Sequence, residues 1–211
     1  MPIVLHRTLM RDTQMALWEI TEDFATLKSK LQLDKAELDY LEKIKAEKKK
    51  LQWLASRCII RYMLNTPEFV LMKATEAGKP FFPELNKHVS VSHSENYAAA
   101  MISVEQSVGM DIESVTDKIL RVHHKFINEQ ESEFVKADDV MSNIVAWSAK
   151  ETLFKWYGKG QVDFRKNITL HPFTLSGRGR IKAAFTKPDC SKLLDVEYEA
   201  GPELVMSWVT G

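Results

Sequence analysis

Two short segments carry most of the side chains that can do chemistry. In Val108-Gly109-Met110-Asp111-Ile112-Glu113 the apolar residues recur at every second position, which is the repeat of a β-strand. Val108, Met110 and Ile112 are therefore expected on a core face, with Gly109, Asp111 and Glu113 on the other. Two carboxylates pointing the same way repel unless water or a cation screens them, and an oxygen-only ligand set suits Mg²⁺ rather than zinc. An edge strand with a solvated acidic face would show the same pattern. The second segment runs from Asn143 to Tyr157 and contains Trp147-Ser148-Ala149-Lys150-Glu151. At about 100° per residue, Val145, Ala146, Ala149, Leu153, Trp156 and Tyr157 cover one broad side of a helix, and Trp147 and Phe154 extend it round the flank. Glu151 and Lys155, four residues apart with Ser148 beside them, form a narrow polar stripe on this rod. They can be a plain salt bridge at a groove edge. A surface helix is not expected to carry two Trp, a Phe and a Tyr, however, so the stripe is expected to face a cleft.

Two smaller motifs add phosphate chemistry. Ser92-His93-Ser94 sets a ring nitrogen between hydroxyls at a strand end, where turn amides and side chains can converge on an anion. Gly78-Lys79-Pro80 is a turn whose glycine permits a left-handed backbone and which is expected to present Lys79 outward. Gly158, after the aromatic helix, is placed to terminate it.

These motifs need elements to hold them. Ile3 to Leu5 and Met15 to Ile20 read as strands, and Thr21-Glu22-Asp23 as the start of a short helix. One helix is expected from Asp34 to about Leu64, with Leu38, Leu41, Ile44, Leu51, Leu54, Cys58, Ile59 and Met63 at helical spacing and Pro67 ending it. Val89 to His93, Tyr97 to Val104 and Val108 to Glu113 read as an antiparallel meander. Helices at about Asp117 to Ala137 and Ser142 to Tyr157 follow. Strands are then expected near Ile168 to Phe173, Arg180 to Phe185, Leu194 to Tyr198 and Leu204 to Trp208. This order implies an α+β protein of two similar halves, residues 1–105 and 106–211, with a site at their junction.

Composition narrows the partners. The 29 Lys and Arg cancel the 29 Asp and Glu, leaving no global field to draw the chain onto nucleic acid or an anionic membrane. No run approaches the roughly 18 apolar residues of a membrane span. The chain's two cysteines, Cys58 and Cys190, lie far apart and match neither metal-ligand spacing nor a disulfide framework. A cytoplasmic, monomeric protein with reduced thiols is expected.

Taken in order, G-K-P at 78–80, S-H-S at 92–94, G-M-D-I-E at 109–113 and W-S-A-K-E-x-x-x-K at 147–155 resemble the 4′-phosphopantetheinyl transferase superfamily. More specifically, they look like its long, Sfp-type branch, in which two similar halves form an intramolecular pseudo-dimer. The resemblance implies Mg²⁺ on Asp111, Glu113 and Glu151, with Lys155 at the reacting phosphate. It implies coenzyme A contacts from Lys79, Ser92, His93 and, by a looser match within Trp53-Leu54-Ala55-Ser56-Arg57, Arg57. Lys155 also belongs to the implied coenzyme A set. The sequence departs from the family at Ser90, where many relatives carry Asn. Of the lysines that hold phosphate near the N-terminus of some relatives, Lys48, Lys49 and Lys50 are the candidates. The implied reaction moves the phosphopantetheine arm of coenzyme A to a serine of an apo acyl or peptidyl carrier protein and releases 3′,5′-ADP. Glu151 has three roles open to it there: metal ligand, direct base, or holder of a water that acts as base. Another Mg²⁺-dependent phosphotransferase or phosphodiesterase, or a non-catalytic coenzyme A-binding module, would carry parts of the same pattern.

Overall fold

The computed structural model describes residues 3–10, 12–66 and 68–211. Pro67, expected to end a helix, lies outside them. The fold is α+β, and the chain divides into two compact units. The first comprises residues 1–74 and 80–105, and the second residues 75–79 and 106–211.

In the first unit, β1 (Ile3–Met10) and β2 (Thr13–Glu19) form a hairpin. Next come α1 (Phe24–Ser29), α2 (Lys35–Lys43) and α3 (Glu47–Leu64). The Asp23 and Asp34 side chains cap α1 and α2 by accepting from the Thr26 and Glu37 amides, groups a helix start leaves unpaired. The single helix expected from Asp34 to Leu64 is broken, with Ile44 in extended backbone between α2 and α3. Between Ile44 and Leu51 the sequence offers only the small Ala46 among charged residues, too little to anchor a continuous rod there. The left-handed Asn65 closes α3. The short β3 (Lys73–Ala74) and β4 (Pro80–Phe81) pair with each other, and β5 (His88–Ser94) and β6 (Tyr97–Ser103) form a hairpin turned at Glu95, whose φ is 47°. The strands order as β1-β2-β6-β5. Leu54, Ala55 and Ile59 of α3 pack with Trp18, Val89, Ala98 and Ala100 of the sheet to make the core.

The second unit opens with β7 (Val108–Ser114). The expected meander is corrected here: β7 does not extend the β5–β6 hairpin but pairs with the last strand, so that Asp111 lies opposite Ser207. The long helix expected over Asp117–Ala137 is also absent. A 3₁₀ turn (Asp117–Val122), the short α4 (His123–Phe126) and another 3₁₀ turn (Glu131–Glu133) replace it. The reason is local competition. The Glu131 carboxylate accepts from the Asn128 amide and the Asn128 side chain accepts from the Glu131 amide, side-chain bonds that take the place of a helical ladder. Then α5 (Val140–Tyr157) leads to β8 (Ile168–Leu170), β9 (Arg178–Lys187), β10 (Cys190–Ala200) and β11 (Leu204–Thr210), ordered β7-β11-β10-β9-β8. Val145, Ala149, Leu153 and Trp156 of α5 pack with Ile181, Phe185, Val196 and Tyr198. Both cysteines are free thiols, and no helix among the described residues is long and apolar enough to cross a membrane.

Candidate active site in the second unit

Strand β7 and helix α5 meet unusually closely, and Gly109 is the reason. A Cβ at this position would stand 2.1 Å from the Thr152 carbonyl oxygen and 2.8 Å from Trp156 Cβ. Only glycine lets the helix backbone lie so near the strand. Because Gly109, Asp111 and Glu113 share one strand face, the same approach brings both carboxylates to the helix. Hydroxyls tie the same helix to β11, the strand beside β7: Ser207 Oγ lies 2.8 Å from Ser148 Oγ and 2.6 Å from Thr152 Oγ1 of α5. All three are fully buried.

The polar stripe expected on α5 faces this junction. Lys155 Nζ donates to Asp111 Oδ1 at 2.7 Å, and Asp111 is only 2% exposed. Burial pushes the Glu151 carboxyl up to about 7, with the Asp111 charge adding to the rise and Lys155 opposing it. Burial also pushes Glu113 up to about 7, and Asp111 adds to it again. The Trp147 indole, donating to Glu113 Oε1 at 2.8 Å, and Lys155 pull Glu113 the other way. Lys155 bonded to Asp111 and Trp147 bonded to Glu113 thus join both strand carboxylates to α5.

Lys79 joins them from far up the chain. It follows Gly78, whose φ of 87° takes the left-handed form expected of the turn. The expectation that Lys79 points outward is corrected. Its ammonium turns in and donates to the Trp156 carbonyl at 2.6 Å, one of the orphan carbonyls at the end of α5. Its stem fills space that Gly158 leaves open, since a Cβ on Gly158 would stand 2.0 Å from Lys79 Cδ. Gly158 also closes α5 with a φ of 68°. Burial lowers Lys79 to about 8.

Arg57, Ser92 and His93 belong to the first unit. Ser92 is buried and His93 exposed on β5. The Arg57 guanidinium lies 3.2 Å from the Trp53 ring centroid, and its Nε donates to Glu37 Oε1 at 2.9 Å. Together with Tyr40, Lys73 and Pro80 it lines a groove of about 320 Å³. Lys48 pairs with Glu95, while Lys49 and Lys50 have no such ion pair among the described residues.

Two participants are absent from the sequence reading. Trp147 is treated there as apolar flank, yet its N–H holds Glu113. Lys150 sits in the same motif and is fully buried. The signal available for Trp147 was its place one turn before Glu151, on the same side of α5.

Residues 107–203 match the model of the 4′-phosphopantetheinyl transferase superfamily. The matched stretch contains Asp111, Glu113, Glu151 and Lys155, and it supports a transferase and phosphopantetheine transfer in general. Arg57, Lys79, Ser92 and His93 lie before it. No curated protein matches the chain. Among the described residues no three His, Cys, Asp or Glu side chains form a group that could hold a metal ion in this arrangement. Asp111, Glu113 and Glu151 are all hard oxygen donors, the type of ligand that suits a divalent cation such as Mg²⁺.

Proposed function

We propose that this chain transfers the 4′-phosphopantetheine arm of coenzyme A to a serine of an apo acyl or peptidyl carrier protein, as the Sfp-type enzymes do, with Mg²⁺ as cofactor. The observation that carries the reading is the contact, within the matched stretch, of the two strand carboxylates with helix α5: Lys155 lies 2.7 Å from Asp111 and Trp147 2.8 Å from Glu113, with Glu151 one turn before Lys155. Asp111, Glu113 and Glu151 would hold the cation. When bound, it would neutralise the pyrophosphate and make phosphorus accessible to a weak nucleophile.

The chain's own groups supply the rest. Besides holding the cation, Glu151 would stand beside the carrier serine and take its proton, directly or through a water that it holds. The serine oxygen bonds to the phosphorus nearer the pantetheine, the bridging P–O bond breaks, and 3′,5′-ADP leaves with the electron pair. Lys155 stabilises the charge that grows on the phosphate oxygens and can return a proton to the leaving group. Lys79 meets a phosphate of coenzyme A, and the resemblance adds Arg57, Ser92 and His93 to that role.

The test is incubation of the purified chain with coenzyme A, Mg²⁺ and an apo carrier protein, followed by intact mass. A gain of one phosphopantetheine arm on the carrier, absent in excess chelator, is expected. No gain over a panel of fatty-acid, polyketide and peptide carriers would refute the proposal.

A further inference from the structure

We propose that Lys150 and Glu131 are positioning residues for Glu113, acting through the two aromatic rings packed against Trp147. The inference rests on the reading of Glu113 as a ligand in the transfer site.

Lys150 and Glu131 are each fully buried, a state a lysine reaches only when its ammonium is well paired. Four oxygens surround Lys150 Nζ: the Phe126 carbonyl at 2.7 Å, Glu131 Oε2 at 2.7 Å, the Phe164 carbonyl at 2.9 Å and the Ile168 carbonyl at 3.0 Å. Glu131 in turn accepts from the Leu170 amide at 2.7 Å and the Asn128 amide at 2.9 Å. The pair thus ties α5 to residues 126–131 and to the stretch that runs from Phe164 into β8.

The choice of carbonyls links this clamp to the site. Phe126 and Phe164 also carry the rings that pack against Trp147, with centroids 5.2 Å and 5.4 Å from its own. The half-buried indole donates to Glu113 Oε1 at 2.8 Å. Fixing the two Phe backbones fixes the rings, the rings fix the indole, and the indole orients one oxygen of Glu113. Outer partners of this kind orient the groups that bind a metal. A purely structural clamp would need the same four bonds to Lys150, but not two carbonyls belonging to the walls of one indole.

The test separates positioning from stability. In the double variant Lys150→Met/Glu131→Leu, apolar groups of similar volume replace the ion pair, an exchange that buried pairs often tolerate. The readout is the indole ¹⁵N–¹H resonance of Trp147 in the metal-free full chain, assigned by its loss in Trp147→Phe. The double variant is expected to melt cooperatively with the resonance moved toward its position in Glu113→Ala, where the N–H has lost its acceptor. In the transfer assay, its half-saturating Mg²⁺ is expected to rise at least about tenfold, with little change in the carrier KM. A folded double variant with the wild-type resonance, or with wild-type Mg²⁺ dependence, would overturn the proposal. Should the double variant not fold, Glu131→Gln is expected to move the resonance the same way by less, and no movement there also refutes it. The resonance needs no metal, coenzyme A or carrier, so its failure is distinguishable from an inactive wild-type chain, which would refute the transfer reading instead.

Discussion

Lys155 Nζ stands 2.7 Å from Asp111 Oδ1, joining the middle of β7 to the last turn of α5. The side chains are 24% and 3% exposed, so the charges meet largely out of water, where truncating one partner strands the other. Lys155→Met should lower stability by about 1–3 kcal/mol, less than for a fully buried pair because the lysine keeps some water. It should lower single-turnover transfer by about a hundredfold or more. Asp111→Asn/Lys155→Met should recover stability in denaturant melts without recovering transfer. A wild-type rate in Lys155→Met would remove the lysine from the reaction.

Glu151 makes the metal-free protein sensitive to pH. Its carboxyl titrates near 4.5 when unfolded and at about 7 in the fold, so between those values the folded chain holds more protons than the unfolded one. Stability from this group is therefore present at low pH and falls as pH rises from about 4.5 to about 7. Glu151→Gln lacks the titration. In chelator the variant should melt close to wild type at pH 5 and above it at pH 8, and Mg²⁺ with coenzyme A should stabilise wild type more than the variant at pH 8. Parallel melting curves across that range would show that Glu151 ionises freely.

Lys79 should make coenzyme A binding pH-dependent in the opposite half of the scale. Desolvation lowers its amine to about 8, so above that value the ligand-free protein has to take up a proton before the lysine can meet a phosphate. Each further pH unit then weakens this contribution by about 1.4 kcal/mol until the contact is lost. Calorimetry should find affinity falling between pH 8 and pH 9 in wild type, and a weaker, flatter profile in Lys79→Met. Equal affinities at both pH values in the two proteins would place Lys79 outside the coenzyme A site.

What the sequence disclosed follows the range of each signal. The shared face of Asp111 and Glu113 and the stripe of Glu151 and Lys155 are matters of period two and period 3.6, set by neighbours in the chain. The left-handed closures at Gly78 and Gly158 are equally local. Lys150 could not be read this way, because what buries it is a carboxylate at Glu131 and carbonyls from segments on either side of the helix. The partner of β7 was hidden for a related reason: its neighbour is the final strand, nearly a hundred residues on, while a closer hairpin offered a plausible alternative. The irregular path of residues 117–137 reflects side chains such as Asn128 and Glu131 that outcompete the helical backbone bonds their own segment would make. Lys79 turned inward because a carbonyl at the end of α5 accepts it and Gly158 leaves room for its stem.

The close approach of β7 and α5 supplies the sharpest structural prediction. In Gly109→Ala the new methyl would lie 2.1 Å from the Thr152 carbonyl and 2.8 Å from Trp156 Cβ, and neither is the movable end of a flexible side chain. Helix and strand must part, which overpacked interiors accommodate at about 1–3 kcal/mol. The shift falls on the line joining the two elements of the site, because Asp111 is two residues along β7 from Gly109 and Lys155 is the residue before Trp156. The expected result is a moderately destabilised, still cooperative protein whose transfer falls far more than its stability, with half-saturating Mg²⁺ raised and no charged group altered. Denaturant unfolding beside single-turnover transfer measures both. Unchanged transfer in a destabilised Gly109→Ala protein would show that the spacing between β7 and α5 is not what sets the chemistry.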